Sequence, residues 1–295
     1  MKKISFVFTA LTIFSAGLFA QGKNVDQAQT GCQHFWYAGL DGGYGFSSLK
    51  QQISTENTST QTQSNEKGVY ASLGRGFVAG VYGGYMFNNT IGLECGFSDL
   101  QGTKLKAKSS YNNSEQYETD YQSTMMRANI GLRMSYGKSR IKLYSRMAFL
   151  IGFAAKVNYS GFGTDNVGLP MENGITYSGG LSFGFKGGVG VAYDINDHLS
   201  FFSELTLFFQ NWAPEKSTIT KDIYKGVDEM PLLTIHDKNT QYVNAITTYN
   251  TSQNIDNIPE EALKFYYPFS SIGLNIGLKY RLGKYSTAVT PAYLK

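Results

Sequence analysis

Three residue sets in this 295-residue sequence are of types that could do chemistry. His198, Ser200 and Glu204 bring a histidine, a hydroxyl and a carboxylate into one short stretch, the residue types of nucleophilic hydrolysis. His236 and Asp237 set a base beside an acid. Lys186 and Glu204 stand as lone charges in SFGFKGGVGVAYDINDHLSFFSELTLFF, Ser182 to Phe209, inside two runs that are otherwise apolar or glycine at alternate positions. Whether these groups react, pair or merely face water depends on the elements that carry them.

Those elements are strands. Reading for period two gives eight candidates: Phe35–Ser47, Val69–Met86, Thr90–Leu100, Gln122–Tyr136, Arg140–Val157, Ser178–Tyr193, Leu199–Gln210 and Phe269–Leu282. Each is long enough for the roughly 9 to 11 residues that a tilted strand needs to cross a hydrocarbon layer. Charged residues make up only 16% of the chain, well below the roughly one quarter of a soluble domain. Glycine (33), tyrosine (21) and phenylalanine (20) are correspondingly abundant. No internal run of apolar residues is long enough for a membrane helix, but a barrel strand need be apolar only at alternate positions.

The connections alternate between long and short. Segments 48–68, 101–121, 158–177 and 211–268 are long and polar. Between them lie the turn-sized Phe87-Asn88-Asn89, Gly137-Lys138-Ser139 and Asp194-Ile195-Asn196-Asp197-His198. That asymmetry predicts an all-β fold, an eight-stranded antiparallel transmembrane β-barrel of up-and-down topology with long extracellular loops and short periplasmic turns. Ten strands, with two drawn from 211–268, is the second architecture.

Parity then sorts the charges. In the fourth strand Arg127, Asn129, Gly131, Arg133 and Ser135 alternate with Ala128, Ile130, Leu132, Met134 and Tyr136. In the fifth, Lys142, Tyr144, Arg146 and Ala148 alternate with Ile141, Leu143, Met147 and Phe149, and the eighth repeats the pattern. The same reading turns Asp41, Glu94, Arg127, Arg146, Lys186, Glu204 and Lys279 into the lumen, where they are expected to pair. An arginine or lysine facing lipid at mid-depth would cost about 2 to 4 kcal/mol, and an unpartnered buried ion is also costly. Trp36, Tyr44, Phe46, Phe183, Phe185, Phe201, Phe209 and Tyr280 are assigned to the lipid face and its aromatic girdles. Lumen glycines in the first two strands relieve crowding where a narrow barrel bends.

The N-terminus reads as a secretory signal peptide over residues 1–20, with Met1-Lys2-Lys3 ahead of the apolar run Ile4–Phe19 and a small-residue cleavage point at Ala20-Gln21. Its removal leaves a short periplasmic segment, 21–34, ahead of the barrel at 35–282 and a short tail at 283–295. Without Lys2 and Lys3 the chain holds 24 lysines and arginines against 22 acids, a balance that gives no support to nucleic-acid binding. Cys32 and Cys95 are read as free thiols.

At this point the chain resembles the eight-stranded outer-membrane β-barrel family, the type of the OmpA transmembrane domain, OmpX and OmpW. The residues that carry the likeness are YAGLDGGYGF (Tyr37–Phe46), the entry into strand seven with its inward Glu204, and the closing strand SSIGLNIGLKYRL (Ser270–Leu282). The resemblance implies the outer membrane of a Gram-negative bacterium, with outer-membrane lipid and lipopolysaccharide around the barrel. It also implies handling by the barrel-assembly machinery, with Tyr280 and Leu282 as signal positions. Host or surface ligands would be reached through 48–68 and 211–268.

Some members of this superfamily are enzymes. The set His198, Ser200, Glu204 is similar to that of lipid A deacylases, but it falls toward the periplasm rather than the outer leaflet. His236-Asp237 is similar to residues of omptin-type proteases, but lacks a second acidic pair; it is read as a turn between Leu232–Ile235 and Tyr242–Thr248, perched above the membrane. Asp256–Lys264 is read as a short surface helix. The sequence therefore points to a non-enzymatic barrel without cofactor or metal, structural or surface-interacting, its lumen closed by paired charges. A narrow channel or carrier for small hydrophobic solutes is the alternative, and an outer-leaflet enzyme or protease the second.

Overall fold

A computed structural model describes residues 34–59, 62, 64–111, 115–137, 140–165, 168–246 and 255–282. The signal peptide, most of the segment 21–34, the tail 283–295, Cys32 and the turn residues Lys138 and Ser139 lie outside the described residues.

Eight strands form the barrel: β1 (Phe35–Ser47), β2 (Gly76–Met86), β3 (Ile91–Gly102), β4 (Glu115–Tyr136), β5 (Ile141–Thr164), β6 (Ser182–Asp194), β7 (Leu199–Trp212) and β8 (Ser271–Leu282). Each pairs antiparallel with its chain neighbour. β8 also pairs with β1, from Trp36↔Leu282 to Ser47↔Ser271, and this last ladder closes the ring. The ring closes without any strand from 211–268 beyond the end of β7, so ten strands is the wrong count.

The short turns are held by their own side chains. Asn88 Oδ1 accepts from the amides of Thr90 and Ile91, both at 2.8 Å. Asn196 Oδ1 repeats the device between β6 and β7, accepting from His198 and Leu199 at 2.9 and 2.8 Å. Asparagine suits this role because its short amide caps a reversing backbone.

Two predicted strands are broken by the structure. Val69–Met86 is interrupted at Ser72–Arg75, which crosses over the mouth of the barrel: the Leu73 amide donates to the Pro268 carbonyl at 2.8 Å and the Ser72 hydroxyl to that of Ser270 at 2.6 Å. Gly74 permits the crossing, since a Cβ there would lie 2.1 Å from the Phe269 carbonyl oxygen. Ser178–Tyr193 is divided by Gly179 and Gly180, both left-handed at φ near +80°, into a strand Pro170–Ser178 and β6.

Among the described residues the long segments are largely extended rather than irregular. β5 has 24 residues, which at ~3.3 Å each is about twice what a crossing requires. Its upper half belongs to a sheet beyond the membrane, joined by Pro170–Ser178, Lys216–Tyr224 and Asn239–Val243. Gln51–Ser59 and Ser64–Ala71 form a hairpin, and Leu105–Tyr111 pairs with the start of β4. On this sheet a hydrogen bond from Lys106 holds the Glu118 carboxyl below its usual range. Burial pushes the Tyr177 phenol up to about 12.

Two local expectations in 211–268 fail. Thr234 and Asp237 form a reciprocal capping box that starts a one-turn helix at Ile235–Lys238, so His236 lies within a helical turn instead of a hairpin turn. Asn239–Val243 pairs with Lys216–Tyr224. The expected helix over Asp256–Lys264 is a 3-10 turn, Ile255–Asn257, followed by a strand Glu260–Leu263 lying parallel to Asn239–Val243. Pro259 drives the residue before it toward extended backbone and ends the turn there.

Candidate functional site

The lumen is built by inward parity on all eight strands. Asp41, Glu94, Arg127, Arg146, Lys186, Glu204 and Lys279 are all buried there, each 8% exposed or less. Opposite faces carry Trp36, Phe46, Phe183, Phe185, Phe201 and Tyr280 in the open, with Tyr44 and Phe209 half-covered by neighbours on the same face. Tyr44 packs edge-on against Phe46 and Phe77 and accepts a hydrogen bond from Arg75 Nε at 3.0 Å.

At mid-lumen the charges converge on Arg146. Its guanidinium donates to Glu94 Oε1 at 2.7 Å and to Glu204 Oε2, with Asp41 Oδ2 at 3.8 Å. Glu94 also accepts from Arg133 Nη1 at 3.2 Å and the Tyr37 hydroxyl at 3.0 Å. Thr206 donates to the second oxygen of Glu204 at 3.1 Å. Arg133 lies 4.1 Å from the Tyr144 ring centre, and Arg146 lies over Tyr82, Phe202 and Tyr144. Aromatic faces thus cover what the carboxylates leave open on the two guanidinium planes.

The expectation that every lumen charge is paired does not hold. Among the described residues no carboxylate lies within ion-pair distance of Arg127, Lys186 or Lys279. Arg127 instead donates to Gln210 Oε1 at 3.0 Å and the Phe269 carbonyl at 3.3 Å, and sits over Phe208. Lys186 also lies over Phe208. Neutral acceptors and π-faces do the work assigned to counter-charges, because the carboxylates are drawn together by one arginine.

Arg133 and Arg281 also belong to the lumen set, beyond the seven charges that the sequence predicts. Arg133 stood on the polar face of strand four, so parity could have included it. Arg281 shares the inward parity of Lys279 two residues earlier. At the short-turn end Asp194 accepts from Lys142 at 2.7 Å, Arg281 at 3.0 Å and the Ser200 hydroxyl at 2.6 Å.

At the other end an apolar cluster fills the mouth. Leu73, Val78, Leu100, Met125, Trp212 and Phe269 are its buried centre. Leu73 enters on the crossing segment, and Trp212 is fixed by a hydrogen bond from its indole to the Gly179 carbonyl at 2.9 Å. A period-two reading does not mark this cluster as a unit, because Leu73 and Phe269, which complete it, lie outside the barrel strands.

The hydrolytic sets are not assembled. Ser200 is bonded to Asp194, Glu204 to Arg146 and Thr206, and the His198 ring stacks on Tyr280 with Nδ1 3.3 Å from the Arg281 carbonyl. His236 Nδ1 lies 3.1 Å from the Ile258 carbonyl, while Asp237 serves its capping box. Cys95 is a free thiol on the exposed face of β3. Among the described residues no group of three histidine, cysteine or acidic side chains could hold a metal.

A closed eight-strand ring of this kind has a counterpart in a family model, the outer membrane protein beta-barrel domain, which matches residues 6–207. The chain belongs to that family. Three solved structures are similar to this outer-membrane barrel. Neisserial surface protein A is 11% identical, with 84% of this chain and 97% of that one covered and a TM-score of 0.34. OprG of Pseudomonas aeruginosa is 12% identical, covering 86% and 97%, with a TM-score of 0.40. Ail of Yersinia pestis is 11% identical, covering 84% and 99%, with a TM-score of 0.32. No curated protein matches the sequence.

Proposed function

We propose that this outer-membrane barrel is a structural and surface-interaction protein of the Gram-negative outer membrane, with a lumen closed to solutes and no enzymatic activity. The sheet beyond its long-loop end serves as the contact surface toward the exterior, and its girdles sit in lipid and lipopolysaccharide. The observation that carries this reading is a double closure. The Arg146 cluster with Glu94, Glu204 and Asp41 fills mid-lumen, and the Leu73–Trp212–Phe269 cluster fills the mouth. An eight-strand ring is wide enough for its own side chains or one small ligand and no more, so either layer alone obstructs passage.

Single-channel conductance of the refolded protein in a planar bilayer tests the reading, with wild type compared against Glu204→Ala. Silence in wild type is expected. A steady wild-type conductance that is indifferent to Glu204 overturns the closed lumen and puts solute passage first.

A further inference from the structure

Among the described residues six buried cations occupy the lumen, Arg127, Arg133, Arg146, Lys186, Lys279 and Arg281, against three buried carboxylates, Asp41, Glu94 and Glu204. The surplus is uneven. All three carboxylates gather on Arg146, and Glu94 is shared with Arg133. The short-turn end is left with Asp194, whose oxygens are already committed: Oδ2 to Lys142 Nζ at 2.7 Å and Arg281 Nη2 at 3.0 Å, Oδ1 to the Ser200 hydroxyl at 2.6 Å.

Lys279 points into this same end. It is 6% exposed and lies two residues from Arg281 on the inward face of β8. It stands opposite Ser200, which stands opposite Asp194, so one row across three strands holds Lys279, Ser200 and Asp194. Asp194 Oδ2 draws Lys142 and Arg281 to this end, and among the described residues no carboxylate lies within ion-pair distance of Lys279 itself. Tyr37 ties Arg133 to the group, since its ring centre lies 5.6 Å from the Arg133 guanidinium and 6.0 Å from Lys279 Nζ.

A buried ammonium with no carboxylate in ion-pair reach is strongly disfavoured unless a counter-charge joins it. Lysine and arginine donors converging on one spot also match an oxyanion in charge and hydrogen-bond count. We propose that the short-turn end of the lumen is a binding site for a small inorganic oxyanion of the phosphate and sulfate class, held by Lys279, Lys142, Arg281 and Arg133. Lys142, with 23% of its side chain exposed, marks the side from which the anion enters. In the membrane orientation proposed above, that side is the periplasm.

The test is a titration of the refolded full-length protein with inorganic phosphate in the low millimolar range, at constant ionic strength set by chloride, following the thermal midpoint. Wild type and Lys279→Arg should show a rise that saturates. Lys279→Met should need at least about tenfold more phosphate for the same rise, the loss of one charged contact. Lys142→Gln, at a partly exposed position, gives the same reading if the methionine variant does not fold. Lys186→Met, deeper in the lumen and away from this end, should respond like wild type. No saturating rise in wild type overturns the site, as does an undiminished response in both Lys279→Met and Lys142→Gln.

Discussion

Replacing Glu94 by glutamine tests the lumen network at its most shared point. Glu94 is 4% exposed and accepts from Tyr37, Arg133 and Arg146. Arg146 would keep Glu204 and Asp41 after the change, but Arg133, 1% exposed, would keep no carboxylate within ion-pair distance among the described residues. Orphaning one buried charge costs about 3 to 5 kcal/mol. The Tyr144 face at 4.1 Å offsets about 1 to 2 kcal/mol of that. The expected loss in Glu94→Gln is therefore about 1 to 4 kcal/mol, measured by urea unfolding from lipid vesicles with tryptophan fluorescence as the probe.

Trp212, fully buried in the mouth cluster, and Trp36, 62% exposed on the lipid face, report on different ends of the barrel. Adding Arg133→Met to Glu94→Gln removes the orphaned charge and should bring stability back to within about 1 kcal/mol of wild type. A Glu94→Gln loss under about 1 kcal/mol, or a double variant no better than the single, would refute the claim that Arg133 depends on Glu94.

Further outcomes follow from other parts of the molecule. Gly74→Ala places a methyl against the Phe269 carbonyl, so the crossing segment must shift, at a cost of about 1 to 3 kcal/mol; chemical unfolding reads the loss. Asn196→Ala frees two amides of the β6–β7 turn and should cost about 1 to 2 kcal/mol, with faster hydrogen exchange confined to that turn. The Glu118 carboxyl is held low by its hydrogen bond to Lys106, with Lys108 adding to it, so the stabilisation exists above the ordinary carboxylate range and is lost as pH falls through the lowered value. Amide protection along Leu105–Tyr111, taken relative to the intrinsic exchange rate, should therefore fall as pH drops below the ordinary carboxylate range, and Glu118→Gln should abolish that acid dependence.

The barrel itself was legible because lipid imposes a strict demand on every second residue. In β8 the alternation of Ile272, Leu274, Ile276 and Leu278 with small or polar residues leaves no other reading, and its end at Leu282 agrees with the ladder to β1. Breaks were not legible, since Ser72–Arg75 continues a plausible alternation while its backbone turns inward to bond with Pro268 and Ser270. The sheet above the membrane was hidden for a related reason. Beyond the hydrocarbon there is no penalty on polar residues at either face, so Gln51–Ser59 and Lys216–Tyr224 look like loops although they are paired strands. Inward direction could be read for each lumen charge, but partner choice could not, because it depends on depth. Arg127 and Lys186 lie toward the mouth from the carboxylates, and only the cross-strand registers fix that offset.

The ladder between β1 and β8 has a kinetic meaning. It joins Trp36 to Leu282, so the seam brings together opposite ends of the described chain and cannot form until synthesis has passed Leu282. Contacts this distant in sequence are slow to reach, because the closure entropy must be met before the pairing rewards it. Until then β1 and β8 both expose unpaired backbone along their length, and open edges of that sort invite pairing with other chains. A nascent chain of this protein is thus most prone to aggregate just before its final strand docks, and a chaperoned edge at β1 is what would carry it safely across that interval.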